Sequence, residues 1–403
     1  MIPKQFDMIE KCDIDSLLTN RITECRTLDY KLSLPNTQEQ DKIRFLADVC
    51  AFANTAGGDL IYGVRESETE PGFPDELLGL AEIETDSEIR RLDQMISTGI
   101  VPRIPRIRIK HIDGFEQGPI ILVRVPKSFT GPHAVIRDEW MRYYARSSNR
   151  NTPMDVQQVY TAHSATYGLI DSIKRFRTER LSSILTDDTP VPLKDAPKLV
   201  LHVLPAFAFD ESARVDVLGD ADQFLGNLRP MGSAGTHLRY NLDGVLVKSQ
   251  FSSGSDYSNS YVQLFRSGSI ETVYVLDSVD RNADNKIAGL AIENLVLSSS
   301  LDYLDFLKNI GVEPPINVAV SLLGIAGCTL RNDSRGFSHS NEVFDRDMLK
   351  FPEVTLDHHP GDEIDLFIKP ILDCIWQACG YEKSPYYDRN GRHNDRNGRH
   401  RSR

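Results

Sequence analysis

Residues 101–150 carry a group of cationic side chains whose chemistry suits a polyanion. Ten lysines and arginines stand there against four acids, a local charge of +6 in a chain of net charge −12. A basic face on an acidic protein indicates a polyanionic ligand more strongly than the overall charge excludes one. In the segment RIRIKHI, isoleucines alternate with Arg106, Arg108 and Lys110, which predicts a strand with one core face and one basic stripe. The alternative is an ordinary solvated sheet face.

The corner ANTAGG is a second candidate, because consecutive backbone N–H groups can form a nest for a phosphate. Gly57 and Gly58 stand here between a helical pattern and the apolar run LIYGV. The segment does not match GxxxxGK[ST], and it lacks the lysine that would reach a phosphate. The favoured interpretation is a helix end, where glycine adopts the left-handed conformation before a buried strand. Asn54 and Thr55 are expected to hydrogen-bond this turn.

The segment LDHHPGDEID offers histidines and acids, the residue types that bind metals. Adjacent side chains on an extended segment point to opposite sides, so His358 and His359 do not suit one ion. A loop before the last helix is the favoured interpretation. His133, which follows Gly131-Pro132, is interpreted as a turn or surface residue. No spaced set of nucleophile, histidine and acid is evident.

The elements that must position these residues form a mixed α/β pattern up to about residue 160. Alternation predicts a strand at residues 28–32, and apolar spacing predicts a helix at 38–54 followed by a buried strand at 60–64. A second helix is expected from an N-cap at Asp86 to Gly99, and short hairpin strands follow. Thr152-Pro153-Met154-Asp155 has the composition of a helix start, and this helix is predicted to continue to about Leu185.

The predicted organisation is α/β with two domains and a tail. The first domain comprises residues 1–160, a helical connector 161–192, a second α/β domain 193–383 and a tail 384–403. Strands of the second domain are expected in KLVLHVLPAF, HLRYNLDGVLVKSQF, YVQLFRSG, IETVYVLD and INVAVSLLGIAG, and a helix at 287–311. The tail repeats DRNGRHN as DRNGRHR and has little to bury, which predicts a disordered, weakly basic segment.

The composition sets broad limits on the class of protein. A hydrophobic content of 40% and a charged content of 26% are those of a soluble globular protein. No apolar run approaches the ~20 residues that span a bilayer, and the start MIPKQFDMIEKCDID lacks the pattern of a secretory signal. Six scattered cysteines without a CxxC pair predict reduced thiols and a cytoplasmic location.

Several spaced motifs resemble the Schlafen AlbA-type domain, which has been labelled a putative DNA-binding domain in bacterial and archaeal proteins. The matching residues are Glu24, Asp29-Tyr30-Lys31, Phe52-Ala53-Asn54-Thr55, Gly57-Gly58, Gly63-Val64 and Glu66. The later WMRYYARSSNRNTPMD is similar to the closing strand of the family. The resemblance covers about residues 20–165.

The resemblance implies an acidic catalytic set, because eukaryotic Schlafen members include metal-dependent RNases. Its positions here are Glu24, Asp29 and Glu66, which would bind Mg²⁺ or Mn²⁺ through carboxylate oxygens. The alternative is that these acids are surface charges or ion-pair with Lys31 and Arg65. Asp29 stands where glutamate is commoner in the family, and the cysteine and histidine ligands of the eukaryotic zinc site have no counterpart.

Three hypotheses follow for the function. The first is a nucleic-acid-binding protein that acts as a metal-dependent endoribonuclease on structured RNA. The others are a non-enzymatic DNA-binding regulator and a nucleotide (ATP)-binding protein, since the domain has also been labelled a divergent AAA module. The expected partner is RNA or DNA, with a homodimer as an option and no membrane. The predicted nucleic-acid-binding residues are Lys31, Arg106, Arg108, Lys110, Arg142, Arg146 and Arg150.

Overall fold

The structure, a computed structural model, describes residues 1–138, 140–210, 228–233, 236–249, 256–276, 285–332 and 342–394, with single positions 215 and 226. Two compact units result, Met1–Ile170 and Asp171–Arg403. Helices and several sheets confirm the predicted α/β class. Among the described residues, no helix has both the length and the apolar character needed to cross a bilayer.

The first unit begins with a short helical turn and continues with three helices, ten strands and the start of a fourth helix. In chain order these are α1 (Lys11–Thr19), β1 (Leu28–Lys31), α2 (Glu39–Asn54), β2 (Gly58–Tyr62), β3 (Val64–Glu66), β4 (Pro74–Leu77), α3 (Thr85–Gly99), β5 (Ile100–Val101), β6 (Arg108–Ile112), β7 (Ile120–Val125), β8 (Ala134–Arg137), β9 (Trp140–Ser147), β10 (Arg150–Pro153) and α4 (Val156–Leu185).

These strands form two four-stranded sheets and one pair. The first sheet has the order β1-β2-β7-β6, with β1 and β2 parallel and the other neighbours antiparallel. The second has the order β10-β9-β8-β5, and β3 pairs with β4. All five residues of β2 are buried, which confirms the predicted central strand. The apolar face of α2 packs against this sheet through side chains that include Phe45, Val49 and Phe52.

The end of α2 explains the paired glycines. Gly57 has φ +70°, and a Cβ at this position would lie 2.6 Å from the backbone nitrogen of Lys127. At Gly58 a Cβ would lie 2.2 Å from the Phe52 ring. Only glycine fits such contacts. The predicted helix end is confirmed, and the corner is filled by the protein's own backbone and by the Phe52 ring.

Two helix starts differ from the prediction. The N-cap of α3 is Glu84 and not the predicted Asp86. The Glu84 carboxylate accepts a hydrogen bond from the Ser87 amide. Thr152 and Pro153 do not open α4, because they pair with β9 as the end of β10. The capping residue there is Asp155, which exchanges hydrogen bonds with Gln158.

The second unit consists of a large antiparallel sheet with helices packed against it. Its elements are β11 (Lys198–Pro205), β12 (Thr236–Tyr240), β13 (Gly244–Ser249), β14 (Ser260–Phe265), β15 (Ile270–Val275), β16 (Lys286–Ala288), α5 (Gly289–Asn309), β17 (Ile316–Leu323), β18 (Thr329–Arg331), β19 (Met348–Lys350), β20 (Val354–Leu356) and α6 (Ile364–Gln377). The sheet order is β12-β13-β14-β15-β11-β17-β19, with β20 also on β17, and β16 pairs with β18 separately.

The start of the predicted tail differs from the prediction of a disordered segment. Residues 384–394 are not a free extension, because Ser384 and Tyr386 are buried and the Glu293 carboxylate binds both Ser384 and His393. Arg392 adds an ion pair with Asp365. A polar segment with few core residues can be fixed by a buried acid elsewhere in the chain, which its own composition does not report. Residues 395–403, which hold the second heptad, lie outside the described residues.

Candidate active site

A tight turn ahead of β1 brings Glu24 beside the edge of the first sheet. Cys25 and Leu28 exchange backbone hydrogen bonds of 3.0 and 3.3 Å, which folds the chain back on itself. Glu24 Oε1 then accepts a 2.8 Å hydrogen bond from the amide of Tyr30. Because β1 is an edge strand, this carboxylate satisfies an N–H group that the sheet leaves without a strand partner.

Asp29 lies next to Glu24 and is surrounded by cations of its own chain. Its side chain is 3% exposed, Lys31 Nζ lies 2.5 Å from Oδ2, and Arg146 Nη2 donates a 2.9 Å hydrogen bond to Oδ1. Arg146 also donates to the carbonyl oxygens of Cys25 and Leu28 and lies over the Phe52 ring. The site therefore holds a buried ion pair between β1 and β9.

Glu66 reaches the same place from β3. Its Oε2 accepts a 3.2 Å hydrogen bond from the Gly72 amide, and the Gly72 carbonyl accepts a 2.7 Å bond from the Glu24 amide. Glu24 Oε2 also faces Gly72, 3.9 Å from where a Cβ would stand. The three acids suggested by the family resemblance therefore come together, because β1 and β2 are parallel neighbours and β3 continues from β2.

A fourth acid, Asp48 on α2, belongs to the same group and was missed in the sequence. Its Oδ1 accepts a short hydrogen bond from Asn151, and Asn151 Oδ1 in turn accepts a 3.3 Å bond from Arg146. Its place near Lys31 and Asp29 comes from the packing of α2, which no local sequence pattern reports. We call Glu24, Asp29, Asp48 and Glu66 the carboxylate cluster.

The residues Asn54 and Thr55 hold the second sheet rather than the turn that follows α2. The Asn54 amide donates to the carbonyl oxygens of His133 and Tyr144, at 2.8 and 2.9 Å, and its oxygen accepts from the His133 amide. Thr55 Oγ1 accepts a 2.9 Å bond from the Arg146 amide. The expectation that Asn54 and Thr55 bond the turn is therefore wrong for their side chains. These side chains instead hold β9 and so position Arg146.

His133 also differs from its prediction as a turn or surface residue. It is fully buried, with ring nitrogens 2.7 Å from the Pro102 carbonyl oxygen and 2.6 Å from Ser128 Oγ. Burial lowers its pKa. It therefore supports the fold and does not line the carboxylate cluster.

The protonation states within the cluster diverge strongly. Burial, together with the hydrogen bond to Asp29 and its negative charge, raises the pKa of Glu24 to about 8. Burial alone would raise the pKa of Asp29 as well, but the charges of Lys31 and Arg146 lower it below its usual value. Burial also raises the pKa of Asp48 to about 7. The raised pKa of Glu24 and the lowered pKa of Asp29 favour a proton on Glu24 beside an ionised Asp29.

A divalent metal does not fit the cluster as it is arranged. Among the described residues, no group of three or more His, Cys, Asp or Glu side chains is placed to bind an ion. The reason at this site is visible, since Glu24 and Asp29 share a hydrogen bond and both oxygens of Asp29 face Lys31 or Arg146. Mg²⁺ or Mn²⁺ at Glu24, Asp29 and Glu66 stays a prediction.

Two of the three cations of the predicted basic stripe, Arg108 and Lys110, contact the N-terminal segment of the chain. Arg108 lies 3.5 Å from Asp7 and over the Phe6 ring, and Lys110 donates a 2.6 Å bond to the Ile9 carbonyl oxygen. These side chains hold the N-terminal segment. Arg106 lies two residues before β6, in the left-handed conformation with φ +60°.

The remaining predicted cations lie on β1, β9 and β10. Arg142 is exposed on β9 and stacks on Trp140, with 5.2 Å between its guanidinium carbon and the ring centroid. Arg150 is exposed on β10, one residue before Asn151. Lys31 and Arg146 are the cations already described at Asp29. Arg142 and Arg150 are thus the predicted contacts that lie open to solvent on the strands carrying Arg146 and Asn151.

Comparison with known proteins confirms the predicted resemblance. Residues 24–155 match the family model described as Schlafen, AlbA_2. The match indicates a function related to nucleic acids. It includes every member of the carboxylate cluster.

Other comparisons add little. One solved structure that matches is the crystal structure of the DIP2311 protein from Corynebacterium diphtheriae, 20% identical, with a TM-score of 0.26. The alignment covers 38% of this chain and 28% of that chain, so the chain spans less than a third of that protein. At this TM-score the likeness supports no argument. A search of curated proteins found no match.

Proposed function

We propose that the first unit binds RNA and cleaves phosphodiester bonds at the carboxylate cluster. The observation that supports this most directly is the pair of Glu24 and Asp29, two adjacent carboxyl groups whose pKa values move in opposite directions. Such a divergence separates an acid from a base and is typical of catalytic carboxyl pairs. If the site served only to hold β1 against β9, the ion pair of Asp29 with Arg146 would be sufficient, and the neighbouring Glu24 carboxyl group would not be needed.

The proposed chemistry assigns one task to each group. Glu24, protonated at neutral pH, donates its proton to the oxygen that leaves phosphorus. Asp48 or Glu66 accepts the proton of the neighbouring ribose 2′-hydroxyl group, whose oxygen bonds to phosphorus while the bond from phosphorus to the leaving 5′-oxygen breaks. Lys31 offers a positive charge to the phosphate oxygens, and Arg146 keeps Asp29 ionised.

A non-enzymatic nucleic-acid-binding function is the second candidate. It is favoured by the state of Asp29, whose two oxygens are already engaged by Lys31 and Arg146. In this case the cluster would only hold β1 against β9. The third hypothesis, ATP binding, has less support because the Gly57–Gly58 corner is filled by backbone.

The test is incubation of the full chain with labelled tRNA and with duplex DNA of equal length, in Mg²⁺, Mn²⁺ or EDTA. Cleavage of tRNA is expected, and Glu24→Gln should lower the rate at least a hundredfold because the proton donor is lost. Glu68→Gln, a matched change of an exposed acid two residues after Glu66, is the control. Binding without cleavage under every metal condition would favour the second candidate.

A further inference from the structure

A cavity of about 370 Å³ opens in the first unit next to the ends of β1 and β3. Its lining includes Ser33, Leu34, Arg65, Leu80, Ile83 and Gln117. Small-molecule sites range from ~300 to 1,000 Å³, so the space suits a ligand of the size of one base with its sugar.

The walls of the cavity combine apolar and polar surfaces in the way that a nucleobase requires. Leu80 is buried, and Leu34 and Ile83 are half-buried, so they offer apolar contact to a flat ring. The exposed Ser33 hydroxyl and Gln117 amide stand at the rim. Every base has an apolar face and a hydrogen-bonding edge, and glutamine amides pair with such edges.

The floor of the cavity is built from closely packed backbone. Gly79 has φ +82°, and a Cβ there would lie 2.0 Å from the carbonyl oxygen of Gly118. Its amide donates a 2.9 Å bond to the carbonyl oxygen of Gly63. Because backbone packed this closely cannot shift, the cavity is a fixed feature of the fold rather than a gap between mobile side chains.

The position of the cavity connects it to the carboxylate cluster. Leu32, a half-exposed residue of its lining, directly follows Lys31, and Arg65 directly precedes Glu66. Leu32 is three residues beyond Asp29, which is about 10 Å along an extended chain. Arg65 forms an exposed ion pair with Glu76 at 2.6 Å and adds a positive charge at the rim.

We propose that this cavity receives one base of the bound strand and thereby selects the phosphodiester bond that lies at the carboxylate cluster. This inference rests on the proposed function in taking the ligand to be a nucleic acid. Three observations support the inference. They are the volume of the cavity, its apolar walls with a polar rim, and its place next to β1 and β3, which carry members of the carboxylate cluster. A duplex would be excluded, because a paired base cannot enter.

The test uses the full chain and six 2′-O-methyl RNA hexamers that resist cleavage, each with 2-aminopurine at a different position. Entry of the base into an apolar slot should change its fluorescence strongly at one position and little at the others. Ser33→Trp fills the rim and should weaken binding at least tenfold. Gln117→Ala should weaken it about three- to tenfold, as expected for one lost hydrogen bond.

Two controls separate base recognition from phosphate attraction. Ser164→Trp makes the same change at an exposed site on α4 and should leave affinity unchanged. A hexamer with an abasic residue at the responsive position should bind as weakly to the wild-type protein as the intact hexamer does to the Ser33→Trp variant. Both pocket variants should keep the wild-type salt dependence, because their phosphate contacts remain.

Equal affinity for abasic and intact hexamers, or wild-type affinity in both pocket variants, would overturn the inference. Exclusion of every hexamer while the free 2-aminopurine monophosphate binds would also overturn it, since the ligand would then be a free nucleotide. Position-specific binding without cleavage of any ordinary RNA would support the cavity inference and remove the cleavage proposal.

Discussion

Replacing Glu24 by glutamine should make the first unit more stable in alkaline solution. Glutamine is nearly isosteric with glutamic acid, so its oxygen can still accept from the Tyr30 amide and its NH₂ group can donate to Asp29. The wild-type carboxyl group has its pKa raised from 4.5 to about 8. The folded state therefore holds this proton more tightly than the unfolded state, and stability is lost as pH rises towards and through 8.

The size of the effect follows from the shift. A rise from 4.5 to about 8 corresponds to ~5 kcal/mol for a fully shielded group. Because Glu24 is only half-buried, solvent screening should reduce this to ~2 kcal/mol. At pH 9 the glutamine variant should exceed the wild type by that amount, and at pH 5 by much less, since the wild-type group is then protonated in the folded state.

Hydrogen–deuterium exchange of peptides from β1, β2 and β7 measures this difference in the first unit alone. Comparing the two proteins at the same pH cancels the pH dependence of the intrinsic exchange rate. Glu68→Gln serves as the control and should follow the wild type at every pH. Identical exchange of wild type and Glu24→Gln between pH 5 and 9 would refute the assignment of a retained proton to Glu24.

Three further outcomes are expected. Arg142→Ala with Arg150→Ala should reduce the log–log salt slope of single-stranded RNA binding by ~0.7 for each lost phosphate contact, whereas Arg108→Ala with Lys110→Ala should leave the slope unchanged and increase exchange in residues 1–10. Deleting residues 384–403 should lower the melting temperature by at least ~5 °C, because a buried tyrosine and two partners of Glu293 are lost; truncation after Asn394 is the control. Hydrogen bonds from His202 and Arg180 outweigh burial and hold the pKa of Glu271 at about 2, so Glu271→Gln should flatten the acid limb of the unfolding curve below pH 4.5.

Local patterns predicted most of the elements because each pattern reports packing of neighbouring residues. The apolar spacing of α2 and the continuous apolar run of β2 correspond to faces that are buried in the structure. Helix starts were less secure, since Thr152 and Pro153 suit a helix N-terminus as well as an edge strand. Pairing with β9, a contact between strands, decides between the two.

The basic stripe shows why a charge pattern predicts a face but not its partner. Ile107 and Ile109 do pack against the core formed with α2, as the alternation indicates. Arg108 and Lys110 do face the other way, but residues 6–9 of the same chain lie there. Nothing in the spacing within β6 reports a contact that comes from about a hundred residues earlier.

The carboxylate cluster was predictable only in part, and the missing part is the one that links its members. Glu24, Asp29 and Glu66 could be named through a family resemblance, whereas Asp48 and Asn151 required the fold. The link begins with Asn54 and Thr55, which fix β9 on the end of α2 and so direct Arg146 towards Asp29. Without Arg146 and Lys31, Asp29 would compete with Glu24 for the proton, and the divergence of the two carboxyl groups would disappear. The AFANT segment therefore supports the proposed chemistry without touching a substrate, and substitution of Asn54 should alter the pH dependence of the cluster.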